Sequence, residues 1–423
     1  LCQSHDGIMQ KSGTEPAMTD LRNYALVTAA YWGFTLTDGA LRMLVLLHFH
    51  ELGYSAVQIA FLFLLYELCG VVTNLIGGWI GSHVGLKVTL FAGLSLQVVA
   101  LSSLAMLDPT WTVAVSVAYV MGAQALSGIA KDLTKMSSKS AIKVLVPEEA
   151  DSALFKWVAV LTGSKNALKG AGFFLGSILL SWLGFRGSLV AMALGLAVVL
   201  AATGLFLPRG IGRARVKVKF SQIFSKSREI NLLAAARMFL FGSRDIWFVV
   251  GLPVFLSASL GWSHAEVGGF LALWVIGYGG AQALAPELLR RALGGGTPRG
   301  GTAAFGAFTL AALTGLIALG VGFGFSPWMT VVSGLAWFGL IFAVNSSVHS
   351  YLVLAYSESD QATLNVGFYY MANAMGRLVG TLLSGVVFQV AGLVGCLWVS
   401  AAFVLMAALI SLGLPRGRVM QCL

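Results

Sequence analysis

The 423-residue chain is 57% hydrophobic and only 10% charged, whereas soluble domains carry about 25% charged residues, so an ordinary water-soluble globule is excluded. The net charge of +10 would suit nucleic acid only on a folded basic surface; here the basic residues lie between apolar runs, and no nucleic-acid partner is expected. The four cysteines, Cys2, Cys69, Cys396 and Cys422, lack CxxC or regular spacing, which argues against a disulfide framework or a thiolate metal site.

Residues 1–20 read as a disordered N-terminal tail. Met18 stands directly before the amphiphilic TDLRNY. It is either the physiological start, preceded by an upstream translation artefact, or part of a cytoplasmic tail. The first apolar stretch carries Asp38 and Arg42 and runs too long for a cleavable signal peptide. Apolar runs fall near residues 23–47, 56–80, 87–107, 111–130, 157–183 and 187–207, and resume near 231–260, 266–289, 302–323, 327–349, 363–389 and 393–414. Each is long enough for a bilayer core that needs about 20 apolar residues per helix. The fold class expected is an all-α polytopic membrane protein of twelve helices, in a lipid bilayer.

Charge sets the expected orientation. With the N-terminus inside, Arg22, Lys87, the Lys131–Lys156 group, Arg209 to Arg228, Arg290, Arg291, Arg299, Arg416 and Arg418 all fall on cytoplasmic segments, while the outer loops hold Arg186. That is the positive-inside pattern, and it places both termini in the cytoplasm. The basic stretch 208–229 divides a six-helix bundle at 21–207 from a second at 230–415, leaving a C-terminal tail at 416–423. The two halves repeat weakly: LGYSAVQIAFLFLLYEL at 52–68 aligns with LGWSHAEVGGFLALWVI at 260–276, an offset of 208 residues.

Parallel six-span repeats joined by a basic loop resemble the major facilitator fold. In that fold the loop after the second span usually reads G-x-L-x-D-R-x-G-R-K. Here GWIGSHVGLK keeps Gly78, Ile80, Gly85 and Lys87, but has Ser82 at the acidic position and His83 and Leu86 at basic ones. The latch that the usual Asp provides must then be replaced by other contacts or be weaker.

Ionisable residues within spans are functional candidates by default. Asp38 and Arg42 lie in span 1, Glu67 in span 2, Lys165 and Lys169 in span 5, Arg237, Arg244 and Asp245 in span 7, and Arg377 in span 11. Six basic residues against three acidic ones leave surplus positive charge in a low dielectric, which an anionic ligand would complete. The expected anion clamp is Arg42, Lys165, Lys169, Arg244 and Arg377, with Lys165, Lys169 and Arg377 deep and lacking a local acidic partner. Asp38, Glu67 and Asp245 are the candidates for carrying a coupling proton. Asp38 and Arg42, four residues apart, also suit a structural ion pair; Arg244 and Asp245 could each pair across the bundle for structure alone, and Glu67 could be a hydrogen-bonded core group. Arg237 is expected to snorkel to the cytoplasmic surface. Lys131, Lys135, Lys139 and Lys143 form a helical stripe at the cytoplasmic mouth, either a funnel for anions or an interfacial helix on anionic lipid. Aromatic residues such as Tyr66, Trp274 and Tyr278, and amides such as Asn166, Asn345, Asn373 and Gln282, are candidates to line a cavity. No P-loop and no metal-ligand cluster is present, so no cofactor, metal centre, ATP-driven pumping or enzymatic activity is expected.

Several stretches resemble the ArsJ-type organoarsenical efflux permeases, a branch of the major facilitator superfamily. They are YWGFTLTDGALRMLVLLHFH (31–50), GVVTNLIGGWIG (70–81), AQALSGIAKDLTKMSSKSAIKVLVP (123–147) and FKWVAVLTGSKNALKGAGFFLG (155–176), and the likeness extends loosely over residues 21–415. The missing Asp of the inter-span loop is similar in this branch. The resemblance implies export of 1-arseno-3-phosphoglycerate across a bacterial inner membrane. A partner glyceraldehyde-3-phosphate dehydrogenase would make that compound from arsenate, and the pair would confer arsenate resistance. An exchanger of ordinary organophosphates or carboxylates, and a non-transporting membrane sensor, are the alternatives on the same fold.

Overall fold

Hydrocarbon offers no partner for a bare N–H or C=O, so a spanning segment must satisfy its backbone internally, and long apolar runs become helices. The computed structural model describes residues 15–84, 86–145, 151–207, 227–294, 296–356 and 362–415. The helices are α1 (Glu15–Glu51), α2 (Ala56–Leu62), α3 (Leu64–Val84), α4 (Leu86–Ala105), α5 (Val113–Leu145) and α6 (Asp151–Phe206). The second half contributes α7 (Arg228–Phe248), α8 (Gly251–Ala258), α9 (His264–Ala292), α10 (Gly300–Gly322), α11 (Pro327–Ala355) and α12 (Ala362–Ser411). No strand occurs among the described residues. The tails at 1–14 and 416–423, most of the basic linker (208–226) and Gly85 lie outside the described residues.

Nine stretches among the described residues are long and apolar enough to cross a membrane. Two of them, Ser164–Phe206 and Asn365–Ser411, run to 43 and 47 residues, about twice what one crossing needs. Each is broken by one glycine in the left-handed region: Gly184 (φ 64°) in α6 and Gly392 (φ 61°) in α12. Both are therefore hairpins of two spans. Counting each as two gives eleven crossings among the described residues; α1 has the length for another but is not among the nine stretches apolar enough. The seventh span is interrupted between α7 and α8, where the Val250 and Gly251 amides both donate to Ser384 Oγ on α12 at 3.1 Å. A helix break inside the membrane is thus satisfied by a neighbouring side chain.

The 208-residue repeat is built into the backbone. Gly53 (φ 80°) and Gly261 (φ 69°) turn the chain at equivalent points, as do Gly184 and Gly392. After the first pair, Ser55 with Gln58 and Ser263 with Glu266 form matching capping boxes that start α2 and α9. Close helix crossings repeat too. A Cβ on Gly172 would sit 2.5 Å from the Leu36 carbonyl of α1, and one on Gly380 would sit 2.6 Å from the Gly242 carbonyl of α7. In each half, therefore, the first span packs against the fifth at backbone contact, as small residues allow in membranes. Lys87 Nζ ties the start of α4 to the carbonyls of Gly204 and Leu207 at the end of α6. In the second half the Gly300 amide does the same to Pro415 O at 3.3 Å.

Between the halves, α6 packs on α9 and α3 on α12. At the end of the bundle where Gly53, Gly184, Gly261 and Gly392 turn, a Cβ on Gly385 would meet Ala60 Cβ at 2.5 Å. There His264 Nε2 also lies 3.1 Å from Glu51 Oε1. These contacts bring the two halves together around one central space, lined by α1, α6, α7, α9 and α12.

Candidate functional site

The central space is lined by charged and polar side chains from both halves: Arg42 (α1), Asn166 and Lys169 (α6), Arg244 and Asp245 (α7), and Arg377 (α12). Phe248, Trp274, Val275 and Tyr278 supply apolar walls. The cavity is about 40 Å³, room for roughly three waters. Lys169 and Arg377 are themselves 208 residues apart, so the repeat places one cation from each half at equivalent positions.

Five side chains form one alternating run of charge. Arg42 Nη2 donates to Glu67 Oε1 at 2.6 Å, and Arg377 Nη2 donates to the same oxygen at 2.6 Å. Arg377 Nε then reaches Asp245 Oδ2 at 3.1 Å, and Arg244 Nη2 reaches Asp245 Oδ1 at 2.5 Å. Arg42 stands over the rings of Phe63 and Tyr66, at 5.2 and 5.3 Å. The run passes from the first half to the second through Glu67 and Arg377. Both carboxylates are buried, with 1% of each side chain exposed, and Glu67 Oε2 has no donor among the described residues.

Lys169 stands beside this run. No carboxylate pairs with it among the described residues; its ammonium lies 5.6 Å from the Phe173 ring. Arg42, Arg244, Arg377 and Lys169 against Glu67 and Asp245 leave two positive charges over in the cavity wall. Arginine presents forked donors to an oxyanion and lysine a compact charge, so the wall is chemically fitted to a small anion.

The side chains expected from sequence fall in three groups. Arg42, Lys169, Arg244 and Arg377 converge, with Glu67 and Asp245 between them. Arg377, expected to lack an acidic partner, has two, because its partners come from other helices. Lys165 is exposed and does not line the cavity, although it precedes Lys169 by one turn. Asp38 and Arg42 do not pair: Asp38 accepts from Tyr66 Oη at 2.7 Å, while Arg42 takes Glu67. Side chains four apart on one helix lose here to partners across the bundle that lie closer to the guanidinium.

Arg237 does not snorkel. It is 4% exposed, its Nε donates to Asn373 Oδ1 at 3.0 Å, and its Nη1 to Ser346 O and Oγ at 3.0 and 3.1 Å. The lysine stripe also turns inward where it is described. Lys131 lies 3.9 Å from the Tyr66 ring centre. Lys135 Nζ donates to Asn74 Oδ1 at 2.6 Å and pairs with Asp132 Oδ1 at 3.0 Å. Those two lysines face α3 rather than lipid. The side chains of Lys139 and Lys143, and that of His83 in the inter-span loop, lie outside the described residues, and so do Gly85 and any contact of Gly78. Lys87 is a helix-end tie, as described above.

Sequence reasoning missed Asp132. Fully buried, it accepts from Thr73 Oγ1 at 2.6 Å and Asn74 Nδ2 at 3.2 Å besides Lys135. Its signal was an acid inside span 4, masked by the lysines on either side. Phe248 and Val275 were missed as well, since nothing separates a cavity-wall apolar residue from a packed one in sequence.

The sequence matches the Major Facilitator Superfamily over residues 26–363, and the chain belongs to that family. Among solved structures it is similar to a POT family transporter in complex with a thioalcohol-conjugated peptide, at TM-score 0.70 and 14% identity over 92% of this chain and 95% of that one. It is also similar to a bacterial homologue of the iron transporter ferroportin in an inward-facing state, at TM-score 0.68 and 16% identity over 93% and 98%. At such identities the likeness is one of fold. No curated protein matches the chain. The chain is a multi-pass membrane transporter of the major facilitator type.

Proposed function

We propose that the chain is an efflux permease for a small organic anion with a charged group at each end, 1-arseno-3-phosphoglycerate, working beside a glyceraldehyde-3-phosphate dehydrogenase in a bacterial inner membrane with both termini in the cytoplasm. The observation that carries the reading is the surplus of two cations in the cavity wall, with Lys169 unpaired among the described residues. Burying such a surplus is costly unless an anion completes it. The resemblance of residues 31–50, 70–81, 123–147 and 155–176 to organoarsenical permeases narrows the anion to the arsenical.

The carboxylates explain how such a site releases its cargo. Glu67 and Asp245 hold the three guanidiniums when no ligand is present, so an arriving anion competes with them and gains only the difference. Arg377 matters most, because it bridges Glu67 of the first half and Asp245 of the second. An anion that draws it away loosens the charged tie between the halves, and the bundles rock about the central site. Protonation of Glu67 or Asp245 would act in the same direction, which makes them, with Asp38 as a further carboxylate held by Tyr66, the candidates for coupling to a proton gradient.

Everted vesicles test the reading. Supplied with the dehydrogenase, glyceraldehyde 3-phosphate, NAD and radiolabelled arsenate, vesicles bearing the protein should accumulate label, and Lys169→Ala or Arg377→Ala should abolish it. Uptake that survives both substitutions would sink the clamp. Exchange of glycerol phosphates or phosphoglycerate without arsenate would favour an ordinary organophosphate exchanger, and binding without flux a sensor.

A further inference from the structure

Arg237 is a buried guanidinium that the central cavity does not use. Its partners are neutral: the Asn373 amide oxygen and the Ser346 carbonyl and hydroxyl. No carboxylate pairs with it among the described residues; the rings of Phe241 and Tyr369 lie 3.8 and 5.0 Å from its guanidinium. One turn beyond Ser346, on the same face of α11, His349 is completely buried, and neither ring nitrogen has a partner among the described residues. A buried guanidinium held only by neutral groups keeps its full charge, and a buried imidazole with two unpartnered nitrogens beside it is costly to keep.

This cluster is linked by hydrogen bonds to the central cavity. Asn166 lines the cavity and its amide donates to Gln282 Oε1 at 3.1 Å; Gln282 Nε2 lies 3.4 Å from Ser346 Oγ, which in turn accepts from Arg237. Arg237 and Arg244 are seven residues apart on α7, which places them on one face about 10.5 Å apart along the axis. An ester that carries an oxyanion on each end of a three-carbon chain has six bonds between its two central atoms, spanning about 7 Å when extended. That span is shorter than the backbone separation, and the flexible arms of Arg237 and Arg244 can close the difference by leaning toward each other.

We infer that Arg237, with Ser346, Asn373 and His349, forms a second oxyanion subsite that holds the far end of a two-ended ligand while Lys169, Arg244 and Arg377 hold the near end. The inference rests on the proposed anion function and adds to it a reason for selectivity. A one-ended anion such as inorganic phosphate fills only the central cluster, whereas a two-ended one gains the second guanidinium. A permease so built rejects the abundant inorganic anion on length and charge together. The link through Asn166, Gln282 and Ser346 then acts as the partition that the ligand must part.

Titration calorimetry on the detergent-purified full chain tests this, with 1,3-propanediol bisphosphate as a stable two-ended probe and inorganic phosphate as the one-ended one. The wild-type protein should bind the bisphosphate more tightly. Arg237→Gln should weaken the bisphosphate by about tenfold or more, as loss of a charged hydrogen bond implies, and leave inorganic phosphate within about twofold. Equal weakening of both probes, or of neither, would overturn the second subsite. If Arg237→Gln does not yield folded protein, His349→Phe, which keeps the ring bulk, takes its place with the same outcomes on either side. Failure of the wild-type protein to bind either probe would instead remove the anion reading on which the inference stands.

Discussion

Two buried polar clusters share helix α3, yet their charges close differently. Around Asp132, Thr73, Asn74 and Lys135 each donate to the carboxylate, and Lys135 also donates to Asn74. All four lie on α3 and α5, so the loop of bonds is complete within one bundle and sums to no net charge. Around Glu67, on the same α3, two guanidiniums crowd one carboxylate oxygen while the other has no donor among the described residues. The second cluster spans both bundles and is short of negative charge. A closed, neutral network fixes structure; an open, cationic one that crosses the moving interface is suited to a ligand. Substitutions in the two should therefore move different observables.

The largest effect is expected at the closed cluster. Asp132→Ala removes the acceptor of three hydrogen bonds and leaves the half-buried Lys135 without its counter-ion. Breaking a buried pair in this way costs about 3–5 kcal/mol, seen as a lower unfolding midpoint in detergent, while anion affinity per folded molecule stays at the wild-type value. Loss of affinity with unchanged stability would reverse the assignment of the two clusters.

Lys169→Ala should show the opposite pattern at a smaller magnitude. Removing a buried cation that has no paired carboxylate among the described residues relieves a desolvation cost, so the unfolding midpoint rises or holds. Anion affinity falls by about 1.5–3 kcal/mol, the range for a hydrogen bond to a charged group. A fall in stability comparable to that of Asp132→Ala would mean that Lys169 serves packing and that the surplus charge has another explanation.

The same contrast shows what sequence can and cannot carry. Hydropathy placed the spans, because apolar length is a one-dimensional property, and the single match at 52–68 and 260–276 had the offset that Gly53 and Gly261, and Gly184 and Gly392, share. The types of charge in the membrane were legible as well, including the cation surplus. Pairing was not. Arg42 stands one turn from Asp38, yet its partner is Glu67 on another helix, and Arg377 finds both of its partners across the bundle. Arg237 misled for a related reason: a guanidinium near a span end snorkels unless neighbouring helices offer acceptors, and Ser346 and Asn373 come from α11 and α12. That the basic stripe of α5 looks inward at Lys135 depends on Asn74 and Thr73, about sixty residues away in the chain.

The smallest effect is expected where the halves meet at the turn end. His264 and Glu51 bridge them at 3.1 Å, but 52% of the Glu51 side chain is exposed, and exposed ion pairs contribute about 0–1 kcal/mol. The same region holds Gly385 against Ala60 and the Ala56 carbonyl, where any side chain would clash, and the Val57 amide donates to Gln389 at 3.3 Å. Backbone packing, rather than charge, thus keeps this end shut. Glu51→Gln should accordingly shift the balance between inward- and outward-open states by less than about fivefold, measured as the labelling rate of a cysteine placed in the cavity wall. A larger shift would mean that the bridge is a latch in its own right. The comparison would then need a third polar cluster, neither closed nor ligand-seeking.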